Sequence, residues 1–170
     1  MESLVSWSDL DPEVARLLHM PKDVYDGEYN RKWPQPGRGE SIELVSSNDR
    51  ELRFFLDLHE GGRTGSIDLG VVRNRKSTMQ HRLSDRPLMR IDYAADASIL
   101  KHRNPDNQII VGTHIHLGIS NEPKLPWAYP IDNQDVVAVG DATNVAALFC
   151  AFQDACSITS NLKVEQLLGV

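Results

Sequence analysis

The chain has 170 residues, of which 41% are hydrophobic and 25% charged, with a formal net charge of −6. That length and composition predict one domain, residues 1–170, able to bury a core without disulfide or metal staples. No run approaches the roughly 18 apolar residues of a membrane span, and the start, M-E-S-L-V-S-W-S-D-L-D, lacks the basic-then-apolar order of a signal peptide, so a cytoplasmic protein with no membrane partner is expected.

Asp9 or Asp11 is placed to cap a first helix, with Pro12 in its first turn and Leu10, Val14, Leu17 and Leu18 as its apolar stripe. Pro21 ends it. The stretch from Lys22 to Gly39 carries Gly27, Pro34, Pro36 and Gly37 and reads as an irregular connector, with Trp33 pinning it to the body.

Five strands are predicted next. Ser41 to Val45 is short, and Glu51 to His59 turns Leu52, Phe54, Leu56 and Leu58 inward and Arg53, Asp57 and His59 outward. Gly61, Gly62 and Gly65 turn the chain into Ser66 to Arg73. Arg75 to Leu83 puts Met79 and Leu83 inward and Lys76, Thr78, Gln80 and Arg82 opposite. Beyond Ser84 to Pro87 the chain returns, with Met89, Ile91 and Tyr93 on one side and Leu88, Arg90 and Asp92 on the other. Successive hairpins imply an antiparallel sheet with one wet face. From Val71 to Arg103 eight Lys and Arg stand against three acids, a surplus of five positive charges, while the remainder carries a surplus of eleven negative ones. Such segregation concentrates positive potential on one surface of an acidic protein.

Ala94 to Asn107 reads as a loop with R-N-P-D-N as its turn. The most informative stretch follows, Q-I-I-V-G-T-H-I-H-L-G-I-S at Gln108 to Ser120. Alternation puts Ile109, Val111, Thr113, Ile115, Leu117 and Ile119 on one face and His114 and His116 on the other, with the two imidazoles about 7 Å apart. Asn121 to Asp132 is irregular. Asp141 or Thr143 is placed to cap a closing helix whose Val145, Leu148, Phe149, Phe152 and Cys156 repeat at helical spacing. Cys150 and Cys156 point to different faces of it and are expected to be reduced. The fold expected is α+β, an antiparallel sheet of five to six strands backed by N- and C-terminal helices.

Paired as hairpins, these strands gather Lys76, Gln80, Arg82, Arg90, Asp92, His114 and His116 on the face away from the helices. Three chemistries fit. His114 and His116 have the spacing at which two imidazoles reach one ion, with His102, Asp92 or Asp106 as further ligands, although the neighbouring cations oppose a divalent metal. RNA cleavage without a metal needs a base of near-neutral pKa, an acid for the leaving oxygen and cations for the phosphorane, and this face supplies all three. Binding alone needs phosphate contacts and a stacking surface, which Tyr93, Trp127 and Tyr129 would offer.

The M-P-K of Met20 to Lys22, P-x-P-G at Pro34 to Gly37, F-L-D-L-H at Phe55 to His59, R-N-R-K-S at Arg73 to Ser77, H-R-N-P-D-N at His102 to Asn107, H-I-H at His114 to His116 and P-W-A-Y-P at Pro126 to Pro130 occur in an ordered series. Over about residues 15 to 160 this series resembles a domain-of-unknown-function family of small bacterial and phage proteins. The family's turn usually ends in glycine where Asn107 stands, its H-x-H follows a proline where Thr113 stands, and its Lys directly precedes the Trp, whereas Leu125 and Pro126 separate Lys124 from Trp127 here. The resemblance implies that Arg75, Lys76, Arg90, His102, Asp106, His114, His116, Trp127 and Tyr129 belong to a shared pattern. A setting among mobile genes implies a toxin, defence or counter-defence role.

The expectation is therefore a metal-independent endoribonuclease, a toxin or phage-defence effector in setting, with RNA or another single-stranded nucleic acid as substrate and a protein antitoxin or target as a further partner. His114, His116 and His102 are its catalytic candidates, and Arg75, Lys76, Arg82, Arg90, Asp92, Trp127 and Tyr129 its substrate-binding candidates, with no metal and no cofactor. The alternative is a non-catalytic inhibitor or nucleic-acid-binding module encoded by a mobile element.

Overall fold

The computed structural model describes residues 4–61, 76–120, 122–159 and 162–165. The expected strand at Ser66 to Arg73 and the candidate Arg75 lie outside the described residues.

Helix α1 (Pro12–His19) begins where expected: the Asp11 carboxylate accepts from the backbone N–H groups of Glu13 and Val14, and Pro12 occupies the first turn. Its buried face is Val14, Leu17 and Leu18. The strands that follow are β1 (Asp23–Val24), β2 (Asn30–Lys32), β3 (Arg38–Val45), β4 (Phe54–Glu60), β5 (Lys76–Leu83), β6 (Arg86–Ala94), β7 (Lys101–Arg103), β8 (Ile109–Val111), β9 (His114–Leu117) and β10 (Ala128–Pro130). Helix α2 (Val145–Ala155) and β11 (Lys163–Glu165) close the chain.

One seven-stranded sheet, ordered β1-β3-β4-β5-β6-β9-β10 with every neighbouring pair antiparallel, forms the body. β2 pairs with β11 in parallel, and β7 with β8 as an antiparallel hairpin. Among the described residues the architecture is thus mostly β, with one large antiparallel sheet and two α-helices, and fits the expected α+β class only loosely. The sheet exceeds five or six strands because β1 and β10, two and three residues long, carry too short an alternation to stand out in a proline-rich sequence. Among the described residues no helix is long and apolar enough to cross a membrane.

The inner face of the sheet carries Ile42, Leu44, Phe54, Leu56, Leu58, Met79, Met89, Ile91, Ile115 and Leu117, in one cluster with Val14, Leu17 and Leu18 of α1 and Leu148 and Phe152 of α2. Gly118 lets α1 approach, since a Cβ there would stand 3.0 Å from Val14 Cγ2. Lys22 joins the two helix ends from inside. Its buried ammonium donates to the carbonyls of Leu18, Met20 and Cys156 at 3.1, 2.8 and 2.8 Å and lies 4.9 Å from the centre of the Phe54 ring. Trp33 does pin its connector, donating from Nε1 to Glu60 Oε2 at 2.8 Å and meeting Phe149 edge-on.

Three local expectations change. The histidine stretch is two strands, because Gly112 takes φ +89° and breaks the ladder. The alternation reverses across that break, leaving Ile109 and Val111 exposed and Ile110 buried. The cap of α2 is Asn144, which accepts from the N–H groups of Ala146 and Ala147, while Asp141 is engaged with Thr143 in the turn before it. Cys150 and Cys156 are both free thiols.

Candidate functional site

Strand register assembles the outer face in cross-strand rows. His59, Thr78, Asp92 and His114 lie side by side across β4, β5, β6 and β9, and Asp57, Gln80, Arg90 and His116 form the adjacent row. The period of two that sends Ile115 and Leu117 into the core obliges His114 and His116 to face outward, opposite Asp92 and Arg90.

Outward is not exposed here. The β7–β8 hairpin and the segment before β10 fold over this end of the sheet, leaving His114 and His116 with 1% and 0% of their surface accessible. Asn104 ties this cover down as a strand would, donating from Nδ2 to the Ala128 carbonyl at 2.9 Å and accepting from the Ala128 N–H at 2.8 Å. Asn107 sits at φ +70°. Asparagine tolerates that left-handed conformation better than other side chains, so the turn keeps its shape.

Both imidazoles are oriented from the backbone. His114 Nδ1 lies 2.7 Å from the Gly112 carbonyl and His116 Nδ1 lies 2.9 Å from the Leu125 carbonyl. A carbonyl only accepts, so both Nδ1 atoms carry their protons and the Nε2 atoms point into the site. There they converge on one oxygen, Asp92 Oδ2, at 3.3 Å from His114 and 3.1 Å from His116. Arg90 closes the group, with Nη2 2.9 Å from His116 Nε2 and Nη2 and Nε 3.1 and 3.2 Å from Asp92 Oδ2. Thr78 donates its hydroxyl to Asp92 Oδ1 at 3.1 Å.

Burial by itself would raise the Asp92 carboxyl, but its contacts with His114 and His116 and the charge of Arg90 outweigh this and hold it well below the usual carboxylate range. Burial lowers the His116 imidazole and the Arg90 charge adds to that, against the opposing pull of Asp92.

The other candidates distribute as follows. His102 arrives on β7, its ring edge-on to His116 at 4.6 Å between centroids and 5.8 Å from His114, with Nε2 2.8 Å from the Pro126 carbonyl. Asp106 does not reach the site, because its carboxylate accepts from the Gln108 N–H within its own turn. Arg82 is likewise engaged elsewhere: it pairs with Asp57 at 2.5 Å, donates to the Ser84 carbonyl and covers the Phe55 ring at 4.1 Å. Lys76 is exposed at the far end of β5, opposite Ala94. Trp127 is half-buried in the cover, its carbonyl accepting from the Leu117 N–H. Tyr129 pairs with Ile115 and packs against the core cluster, so it belongs to the other face of the sheet. Sequence reasoning missed Asn104 and Thr78, although N-P-D turn chemistry was a signal for the first and its register with Asp92 for the second.

The chain belongs to a family of unknown function (DUF6978), whose model matches residues 10–158. The matched span includes Asp92, His102, His114, His116 and the whole cover. No curated protein and no solved structure matches the chain.

Proposed function

We propose that this chain is an endoribonuclease whose reaction centre is the point where His114 Nε2, His116 Nε2 and Asp92 Oδ2 converge. The observation that carries the reading is Arg90, a guanidinium one-third exposed, in contact with both His116 and Asp92. A phosphodiester needs such a cation beside the group that activates the attacking oxygen. In this reading Arg90 holds a phosphate oxygen, the 2′-hydroxyl is activated at the convergence point, and His102 exchanges the proton of the leaving 5′-oxygen. The polar strip of Ser41, His59, Thr78 and Gln80 extends from the centre across the open part of the sheet and would carry the strand, with Lys76 at its far end. The toxin or phage-defence setting proposed with this activity rests on the family resemblance alone.

A second reading is favoured by one observation, the burial of both histidines. A centre so covered suits a binding module or inhibitor in which the cluster only shapes the surface around it.

Labelled single-stranded RNA incubated with the purified protein separates the two. Cleavage that falls at least 100-fold in Arg90→Ala and in His116→Ala supports the nuclease. RNA that is retarded in a gel without being cut by any form of the protein supports the binding module.

A further inference from the structure

We infer that Asp92, His114 and His116 hold one divalent first-row transition-metal ion, through Asp92 Oδ2 and the two Nε2 atoms. The inference rests on the geometry of these three atoms and stands whether or not RNA is the substrate.

The first argument is acceptor accounting. With both Nδ1 protons committed to the carbonyls of Gly112 and Leu125, Nε2 is the atom each ring has left for a ligand, and both Nε2 atoms face a carboxylate oxygen. Three such atoms turned towards one another in a buried place need positive charge among them, which a proton on an imidazole Nε2 or a metal ion supplies. Arg90 answers part of this need by donating to His116 Nε2 and Asp92 Oδ2, whereas His114 Nε2 faces the carboxylate.

The second argument is distance. The three candidate ligand atoms all lie within 4.8 Å of one another, and the two N···O separations are 3.1 and 3.3 Å. A tetrahedral ion with bonds of about 2.0–2.1 Å sets its ligand atoms about 3.3 Å apart. The two histidine-to-carboxylate edges therefore have the required length before any ion enters, and the third edge, between the two Nε2 atoms, closes to the same length on binding.

The third argument is the support behind each ligand. Histidines that bind metals characteristically donate their other N–H to a carbonyl or carboxylate, and ligating carboxylates are themselves hydrogen-bonded. Gly112, Leu125 and Thr78 fill those roles here. Two imidazoles and a carboxylate suit zinc, iron, nickel or copper better than magnesium or calcium, which prefer all-oxygen shells. Arg90 Nη2 must withdraw from His116 Nε2 on binding. Its side chain is one-third exposed and can swing towards the open face, where it would pair with an anion in the remaining coordination position.

Titration of the chelator-treated full-length protein with Co2+ tests the proposal. One equivalent should generate visible d–d absorption and raise the melting temperature, and Zn2+ should displace it. Asp92→Ala, His114→Ala and His116→Ala should each weaken binding more than about 100-fold, because even supporting residues around a metal cost 10–100-fold when lost. His19→Ala, a histidine change on the exposed side of α1 outside the cluster, should bind as the wild type does. Absence of the absorption, or its survival in His114→Ala/His116→Ala, would overturn the proposal. If the variants do not fold, long-range 15N NMR of the wild type decides: Zn2+ should shift Nε2 of both histidines and leave both Nδ1 atoms protonated, and unmoved resonances overturn the site. Metal binding without RNA cleavage would sink the nuclease reading alone, and cleavage without metal binding would sink this one alone.

Discussion

Lowering the pH from 7.5 to 5 should cost this protein about 2 kcal/mol through His81 alone. The His81 ring is fully buried on the inner side of β5, stacked on Phe54 with 5.5 Å between centroids, and its Nδ1 donates to the Phe55 carbonyl at 3.0 Å. Its Nε2 is buried without a hydrogen-bond partner, so a second proton would find no acceptor there. Burial, with help from the nearby Lys22 charge and against the Phe55 carbonyl, pushes the imidazole down to about 3. The unfolded chain takes up the proton near pH 6.5, its ordinary value, so stability is complete above that and falls as the solution is acidified. The slope approaches about 1.4 kcal/mol per pH unit, which gives about 2 kcal/mol at pH 5 and continues until the folded protein itself titrates near pH 3. His81→Leu removes the titration and keeps an apolar group against Phe54. Urea melts of both proteins at pH 7.5, 6.5, 5.5 and 5.0 isolate the effect, because every other histidine is common to them. A wild-type minus variant difference that stays constant over this range would refute the reasoning.

Further outcomes follow from the same packing. Lys22→Met should cost about 3–5 kcal/mol in denaturant melts, since it strips a buried charge from three carbonyls that then have no donor. Gly118→Ala should cost about 1–3 kcal/mol by forcing Val14 and helix α1 off the sheet, and Val14→Ala in the same chain should restore part of the loss. Asn104→Ala should loosen the cover over the site, seen as faster amide exchange at Ala128 with little change at Met79 in the body of the sheet. Asn107→Gly should leave stability within about 1 kcal/mol of the parent, because φ +70° suits glycine at least as well.

What could be read in advance is the part governed by short-range periodicity. Alternation over residues 114–117 separates two histidines from two core residues, and the turn at Ser84 and Asp85 sets Asp92 and Arg90 opposite Thr78 and Gln80. Both steps are local and were legible, whereas the pairing of β6 with β9 that brings Arg90 to His116 bridges 26 residues. Gly112 was not legible either: a lone glycine inside an apolar run does not announce a positive φ, and the reversal at Ile109 to Val111 follows from that one dihedral. The state of the histidines was equally hidden. It depends on the carbonyl of Leu125, nine residues from His116, and on a cover held by Asn104 to Ala128, 24 residues apart. No pattern in the sequence specifies that a carbonyl will stand behind each Nδ1. That single feature aims both Nε2 atoms at the Asp92 carboxylate. Arg82 and Tyr129 were drawn towards the site by residue type, and the structure places them by their partners, Asp57 and Ile115.

The measurement that bears most directly on the central claim is RNA cleavage by the chelated protein before and after one equivalent of Zn2+ or Mn2+ is returned, beside the His114→Ala/His116→Ala variant. The account predicts cleavage by the wild type and none by the double variant, with dependence on the restored ion deciding whether the metal takes part in the reaction. Equal cleavage by the double variant, or no cleavage by the wild type with or without the ion, would contradict it.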